Sequence, residues 1–465
     1  MRRASGGPSR SWWHKEYSRR EVLKGVAVGA LGLGVVQTTG CALFTTQAGG
    51  ENELEVWHWE TPPHRVKAFE GLFKRFTEET GISITQVPIN YPEYPTKITA
   101  AAESDTLPDI VFANPAELTL LLSSDSLVPL DDVFNDVHNS VNFLEKSYTD
   151  YTIDGTQWGL PLFGISWPLT YRADLHEEAG FDGAPETWDN LLARAEKMHS
   201  PKLSGYYQPI STDGNYGNQS VWGYLRTNGA RIVSGSPGEE KAAFDSKETV
   251  ETYEFLKQLA EFTGAGAENA SWGSTELLIR GGNVQTLIYT GSPLGDLVSQ
   301  HNNEELAKKY SMALVPGPSA SSSTSNTGYT RAALVTAPAE ERGKLDAAKE
   351  WLKWVSEPEN NAEMLLANRS LFMPVSTASN EAETWTQDSF NQEFKELIDI
   401  QTEAMQYVSV QGFEEGAKSL EASAIENSRL AAEVLQDIVL NDVPVDEAVG
   451  AAHTEYEQIL ERINY

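Results

Sequence analysis

The sequence predicts an α/β fold of two lobes, each built on a mostly parallel sheet flanked by helices. With 465 residues, the chain is long for a single core and suits two domains. Its composition, 40% hydrophobic and 10% aromatic, is sufficient to fill large cores. After residue 53, short apolar runs typical of strands alternate with amphipathic helical patterns. That alternation indicates parallel sheets with right-handed crossovers.

The alternation is clearest in the first part of the chain. The expected strands are residues 54–59, 82–87 and 110–113, and the helices between them begin at Pro63 and Tyr94. Two of these strands are followed by side chains suited to ligand contact, namely Trp59 with Glu60 and Asn114 with Glu117.

In parallel sheets, the ligand crevice lies beyond the carboxyl ends of the strands. We therefore expect Trp59, Glu60, Asn114 and Glu117 at one crevice. The alternatives are that Trp59 and Glu60 cap the adjoining helix, and that Glu117 is a helix-start carboxylate stabilised by the helix dipole.

Residues 1–52 indicate an export signal followed by a spacer. Arg19 and Arg20 precede an apolar run at residues 25–36, which is shorter than a spanning helix of roughly 20 residues and suits a signal peptide. The paired arginines are typical of a twin-arginine signal. Cys41, the single cysteine, is the expected lipid-attachment site, the alternative being a buried thiol. We expect an exported protein, anchored by this lipid at the extracellular face of the cytoplasmic membrane.

The chain is strongly acidic, with 35 Lys and Arg against 67 Asp and Glu and a formal charge of −32. Without residues 1–40, the counts are 28 against 65, or −37. Such a surface repels the phosphates of nucleic acids and anionic lipids, so we expect no nucleic-acid partner. We interpret the acidity as a solvated shell that keeps the protein soluble, suited to a high-salt habitat where self-repulsion is screened.

One stretch has the most specific order of residues. It contains Gly155-Thr156-Gln157-Trp158-Gly159-Leu160-Pro161, Tyr171, Asp174-Leu175, Ala179-Gly180-Phe181 and Pro185-Glu186-Thr187-Trp188. This order resembles the extracellular solute-binding proteins of ABC importers, in particular the sugar-binding family 1 that includes the maltose-binding proteins. Phe372-Met373-Pro374-Val375 and Glu447-Ala448 resemble later segments of that family, so the resemblance covers nearly all of residues 53–465.

The resemblance implies three crossings between the lobes. Lobe 1 is expected at residues 53–164 and 332–374, lobe 2 at 168–328 and 378–465, and the hinges near 165–167, 329–331 and 375–377. Further ligand contacts are implied at Trp167, Tyr216, Trp222, Tyr289, Ser292 and Tyr329. Trp222 is more specific than Tyr216, and we expect Trp222→Ala to weaken binding while leaving the fold intact. The alternatives are hinge packing for Trp167, core packing for Trp222 and simple packing for Tyr329.

The implied function is capture of a mono- or oligosaccharide by hinge closure and its delivery to an ABC permease. Aromatic rings cover the apolar faces of a sugar, and buried amides and carboxylates pair with its hydroxyls. We expect a monomer without enzyme activity, cofactor or metal. The alternatives are binding of a polyol, a polyamine or glycerol-phosphate, with Arg331 as the cation for phosphate, and a secreted glycoside hydrolase, which needs two carboxylates.

Overall fold

The computed structural model describes residues 50–212, 215–235, 239–414 and 420–463, so the predicted export signal and Cys41 lie outside the described residues. The strands are β1 (Glu53–His58), β2 (Ser83–Pro88), β3 (Ile110–Ala113), β4 (Thr152–Ile153), β5 (Thr156–Gln157), β6 (Leu160–Trp167), β7 (Leu169–Arg172), β8 (Val233–Ser234), β9 (Lys241–Ala242), β10 (Thr286–Ile288), β11 (Tyr310–Ala313), β12 (Asn326–Val335) and β13 (Val408–Ser409).

Helices separate and cover these strands. Up to β10 they are α1 (Pro63–Thr80), α2 (Tyr94–Glu103), α3 (Pro115–Leu122), α4 (Asp131–Val141), α5 (Glu145–Thr149), α6 (Ala173–Glu178), α7 (Trp188–Met198), α8 (Tyr216–Thr227), α9 (Lys247–Ala260) and α10 (Trp272–Arg280). After β10 they are α11 (Ser292–Ser299), α12 (Glu304–Ala307), α13 (Ala337–Glu341), α14 (Leu345–Ser356), α15 (Pro358–Leu366), α16 (Thr377–Glu381), α17 (Glu383–Thr386), α18 (Ser389–Glu393), α19 (Lys395–Ala404), α20 (Leu420–Ser428), α21 (Leu430–Leu440) and α22 (Val445–Ile463).

The first sheet, which forms the centre of lobe 1, has the strand order β13-β12-β3-β1-β2, and β6 also pairs with β12. Its β1, β2 and β3 are parallel neighbours, as the alternation of strand and helix patterns predicts. β12 runs antiparallel to β3 and β6, so the sheet as a whole is mixed. Phe69 and Phe73 of α1 and Trp351 of α14 are buried with Phe112 of β3 in the core beside this sheet.

The second sheet, which forms the centre of lobe 2, has the order β10-β7-β11, and both pairings are antiparallel. The two-lobed fold is confirmed, but the expectation of mostly parallel strands is wrong for this sheet. All four residues of β7 are buried. The direction of β7 relative to β10 and β11 depends on partners far along the chain, so its local sequence does not distinguish the two arrangements.

Two of the three predicted crossing segments, residues 165–167 and 329–331, lie side by side, whereas Ser376 of the third bridges to Phe143. Ile165 of β6 pairs with Tyr329 of β12, and Gly164 forms a bridge with Met373. β12 begins at Asn326, so residues 326–328, which the prediction placed in lobe 2, are part of the first sheet. No helix of the described residues combines the length and the apolar character needed to cross a bilayer.

Candidate binding site between the lobes

Aromatic side chains from both lobes meet at the end of β6. We define the interlobe aromatic cluster as Trp167 of β6, Tyr329 of β12, Tyr216 and Trp272 at the starts of α8 and α10, and Tyr289 after β10. The ring centroids of Trp167 lie 5.1 Å from Tyr329 and 5.7 Å from Trp272. Tyr216 lies 4.5 Å from Trp272 and 5.4 Å from Tyr289. The cluster therefore connects the two lobes through ring contacts.

Backbone hydrogen bonds fix the lobe 2 rings of this cluster. The hydroxyl of Tyr289 donates to the carbonyl of Trp272 at 2.6 Å, and that of Tyr216 donates to the carbonyl of Ile288 at 3.1 Å. Ser271 caps α10 by accepting a hydrogen bond from the backbone of Ser274, which places Trp272 in the first turn. Rings held in this way have little side-chain entropy left to lose on contact with another molecule.

Polar side chains converge on the Tyr329 hydroxyl. Gln219 donates to this oxygen, which in turn donates to Glu426 Oε1. Asn215 Nδ2 also donates to Glu426 Oε1, at 3.0 Å. Burial, to 3% exposure, raises the pKa of the Glu426 carboxyl. These bonds join β12 of lobe 1 to α8 and α20.

Arg331 is buried in lobe 1 next to these groups. Its guanidinium lies 4.3 Å from the ring centroid of Trp59 and 5.0 Å from that of Tyr329. Its Nη1 lies 3.4 Å from Glu117 Oε2. Burial raises the pKa of Glu117, and Arg331 opposes that shift. Glu117 also forms a reciprocal capping box with Asn114 at the start of α3, so the helix-start alternative describes both residues.

A second polar group spans the lobes at α1 and α11. Arg65 of α1 lies 3.2 Å from Glu60 and donates to Ser292 Oγ at 2.7 Å and to Asp296 at 3.2 Å. Arg280 of α10 lies 2.7 Å from the same Asp296 oxygen. Glu60 and Ser292, both predicted contacts, therefore belong to an interlobe ion network.

Several buried polar atoms near the aromatic cluster have no hydrogen-bond partner among the described residues. They are the donors Trp167 Nε1 and Arg331 Nε and the acceptors Asn215 Oδ1 and Glu117 Oε1. Unpaired donors and acceptors thus occur together where the lobes meet. Burying such groups without partners costs free energy, about 1–3 kcal/mol for each.

The structure brings most of the predicted residues to the lobe junction but sets Trp222 apart. Trp222 is completely buried, and its indole N–H donates to the carbonyl of Ser409 at 3.0 Å. These contacts match the alternative of core packing. Trp59 packs edge-on against Tyr94 and lies under Arg331, so its ring faces another protein side chain.

Sequence reasoning missed Trp272, Gln219, Glu426 and Arg65. Only Trp272 had a local signal, because Ser271 before it is a helix-start residue. Glu426 reaches the site from α20, far along the chain, and no local pattern distinguishes it from the other acidic residues. Within the described ranges, no group of three His, Cys, Asp or Glu side chains is arranged to hold a metal ion.

Two cavities are lined by residues other than the rings of the cluster. One of about 410 Å³ is lined by residues that include Lys146, Arg226 and Ser409. The other, of about 130 Å³, is lined by residues that include His64 and Asp296 of the ion network. The rings of the cluster contact one another instead of enclosing space, so the lobes are closed on each other here.

The fold is that of a two-lobed periplasmic binding protein. The chain belongs to the bacterial extracellular solute-binding protein family, whose model matches residues 62–362. This match confirms the family that the sequence motifs resemble.

Individual relatives and solved structures match this chain at low sequence identity. The Escherichia coli K12 protein named "Putative ABC transporter periplasmic-binding protein YcjN" is 19% identical over 418 residues, covering 88% of this chain and 93% of that protein. An ABC transporter solute-binding protein from Thermotoga lettingae, solved with α-D-tagatose, superposes with a TM-score of 0.72 at 19% identity, covering 88% and 99% of the two chains. One from Agrobacterium radiobacter K84, solved with ribitol, gives 0.71 at 18% identity, covering 88% and 98%.

Proposed function

We propose that the protein captures a sugar or polyol between its lobes and delivers it to an ABC permease. The observation that carries the proposal is the mixture of unpaired donors and acceptors beside aromatic rings at the lobe junction. A hydroxyl both donates and accepts, so a ligand rich in hydroxyls pairs with both kinds of atom. The flat rings of Trp167 and Trp272 suit the apolar faces of such a ligand.

Polyamines and glycerol-phosphate, the alternative ligands, fit these unpaired donors and acceptors less well. A polyamine offers mainly donors and leaves Trp167 Nε1 and Arg331 Nε without acceptors. A phosphate offers mainly acceptors and leaves Asn215 Oδ1 and Glu117 Oε1 without donors. The ligands of the two structural relatives, α-D-tagatose and ribitol, belong to the class that we propose.

Capture requires the lobes to part, because the rings contact one another in the closed arrangement. We place the hinges near residues 165–167, 329–331 and 375–377, with the lobe boundaries that the family resemblance implies. Closure is stabilised only by contacts that bridge both lobes, since a contact within one lobe is equal in the open and closed forms. Trp167, Tyr216, Tyr289 and Tyr329 are the proposed bridging contacts, together with Trp272.

The proposal includes the location of the protein. The paired Arg19 and Arg20 direct export, and Cys41 carries a lipid that holds the protein at the extracellular face of the cytoplasmic membrane. There the protein acts as a monomer, and the closed, loaded form is the one that the permease receives. No bond of the ligand is made or broken.

Calorimetric titration of the purified protein tests the proposal, with maltose, D-tagatose, ribitol, glycerol-3-phosphate and spermidine as ligands. Saturable heat with a sugar or polyol supports it, and saturable heat with spermidine or glycerol-3-phosphate alone contradicts it. Incubation with chromogenic glycosides separates the enzyme alternative, because sustained release of the chromophore is incompatible with a pure receptor.

A further inference from the structure

One face of α11 is built for close approach to lobe 1. Gly291, Ser292, Gly295 and Asp296 are spaced so that they share one side of the helix and its cap. A methyl group added at Gly291 would overlap the carbonyl oxygen of Ser370, and one at Gly295 would overlap that of Arg369. We call these four residues the closure face.

The segment that the closure face meets belongs to lobe 1. Arg369 and Ser370 follow α15, which packs against α1 and α14 beside the first sheet. The backbone of α11 and that of residues 369–370 come so close that only glycine fits at positions 291 and 295. Larger residues there would hold the lobes apart.

Charged groups from both lobes surround the carboxylate of the closure face. Arg65 of lobe 1 donates to Ser292 Oγ and Asp296 Oδ2, and His64 Nε2 lies 3.4 Å from Asp296 Oδ1. Arg280 of lobe 2 contacts Asp296 Oδ2 from its own side. Asp296 is thus held by cationic side chains of both lobes.

The same groups keep partners when the lobes separate. Arg65 retains Glu60, which is also in lobe 1. Asp296 retains Arg280, which also pairs with Glu276 within lobe 2. Breaking a buried ion pair is strongly destabilising when it leaves a charge without a partner, and opening this interface leaves none of these charges alone. The interface can therefore open and close at modest cost.

We propose that the closure face of α11, with Arg65 as its partner, sets the equilibrium between the open and closed forms. Arg65 is a positioning residue in this scheme, because it holds the lobes together without needing contact with the ligand. The inference rests on the proposed function only in requiring that the lobes move. We call the closure face together with Arg65 the latch. The more the latch favours the closed form in the absence of ligand, the less free energy ligand binding must supply for closure, and the higher the apparent affinity.

The test measures the separation of the lobes without any ligand. Spin labels are attached at Lys74→Cys on α1 and Lys247→Cys on α9, which are both exposed, in a Cys41→Ser background. Pulsed electron paramagnetic resonance then measures the distance between the two labels, and so between the lobes. Asp296→Asn keeps the size of the side chain and leaves Arg65 with Glu60 and Arg280 with Glu276. We expect it to lower the ratio of closed to open form about tenfold, the effect of one charge-assisted hydrogen bond.

The matched control is Asp109→Asn. Asp109 is also a buried carboxylate that pairs with two cationic side chains, Arg342 and Lys344, but all three residues lie in lobe 1. This variant is expected to keep the distance distribution of the parent protein. An equal shift of the distance distribution in both variants, or no shift in Asp296→Asn, would contradict the proposed role of the latch. Because no ligand is added, a failed sugar titration leaves this result standing, and the two proposals fail separately.

A second pair of variants tests the glycines without changing charge. Gly295→Ala adds a methyl group that would overlap the carbonyl oxygen of Arg369, and it is expected to lengthen the distance between the labels. Gly273→Ala on α10 adds the same group where nothing lies within 4 Å, and the distance should stay unchanged. A normal closed population in Gly295→Ala would show that the closure face does not control the approach of the lobes.

Discussion

Ile165 of β6 and Tyr329 of β12 are antiparallel partners at the lobe junction. Each lies in a predicted hinge, and Gly164, next to Ile165, also bridges to Met373. Strands that share backbone hydrogen bonds bend as a unit, so we expect these two crossing segments to move together. Tyr329 also carries the hydroxyl that binds Glu426. A change at this residue therefore affects both the junction's geometry and its polar contacts.

Trp272→Ala should weaken sugar binding without loss of the fold. The ring is only partly buried and contacts Trp167, Tyr216 and Tyr289 at the junction. Losing one aromatic contact costs about 1 kcal/mol beyond the area it buries, so we expect at least about a fivefold increase in Kd. Calorimetric titration measures it. Trp158→Ala, which removes another partly buried ring, is the control and should bind normally.

Trp222→Ala should destabilise the protein, contrary to what the sequence led us to expect. The side chain is completely buried, and its removal leaves a large cavity and an unpaired carbonyl at Ser409. Comparable substitutions cost about 3–5 kcal/mol in the free energy of unfolding. Urea denaturation, monitored by circular dichroism, measures this loss of stability. A stable variant with weakened sugar binding would return Trp222 to the binding site.

His58 should make the protein less stable in acid. Burial lowers the pKa of His58 from 6.5 to about 4. Its Nε2–H donates to Gln86 at 2.7 Å, while its Nδ1 accepts from the backbone of Glu60, so the neutral ring is the form that fits. Because the unfolded chain binds this proton more readily, the stabilisation is present above pH 6.5 and is lost as the pH falls toward 4, by about 3 kcal/mol in all.

The comparison that isolates His58 is between variants, because burial raises the pKa of Glu60 and Glu426 and these groups act in the opposite direction. The unfolding free energy of His58→Asn, measured relative to that of the parent protein, should rise as the pH falls from about 7 to about 4. Replacing the exposed His301 by Asn serves as the control. Parallel profiles for His58→Asn and the parent protein would contradict the prediction.

Salt should stabilise the folded protein at neutral pH. At a formal charge of −32, the acidic surface repels itself, and raising NaCl from about 0.1 M to about 1 M shortens the screening length from about 10 Å to about 3 Å. We expect the melting temperature to rise by several degrees in calorimetric scans. Near the sequence pI of about 4.6, this increase should nearly vanish. An equal increase at both pH values would show that charge repulsion is not its cause.

Cys41→Ser should release the protein from the membrane of cells that express the full chain. Cys41 is the single cysteine, so its substitution removes every thiol that could carry the predicted lipid. Immunoblots of membrane and soluble fractions measure the distribution, and mass spectrometry of the parent protein measures the added lipid. Parent protein found only in the soluble fraction, at its unmodified mass, would contradict anchoring.

Much of the fold could be predicted from local patterns. The alternation in residues 54–59 and the prolines before α1 correspond to β1 and a helix that begins at Pro63. These signals are strong because burial of one face imposes a short period on the sequence. Strand direction in lobe 2 could not be predicted, since β7 is buried on both sides and its partners β10 and β11 lie far along the chain.

The candidate site was predictable only in part for the same reason. Asn114 and Glu117 could be placed because they follow a strand directly, and the capping box that they form is itself a local pattern. Gln219, Glu426 and Arg65 acquire their roles from Tyr329 and Asp296, which are distant in sequence. A local pattern does not include such partners.

By itself, the sequence determined the acidic surface and the order of strands and helices in lobe 1, because these depend on composition and on short-range periodicity. Its motifs also carried the resemblance to the family that the family model confirms. Only the tertiary structure decided that Trp222 is core, that Trp272 joins Trp167 between the lobes, and that the glycines of α11 lie against Arg369 and Ser370. The physical reason is that burial and pairing depend on which distant segments meet, and two lobes folded from interleaved segments bring residues together that the chain separates.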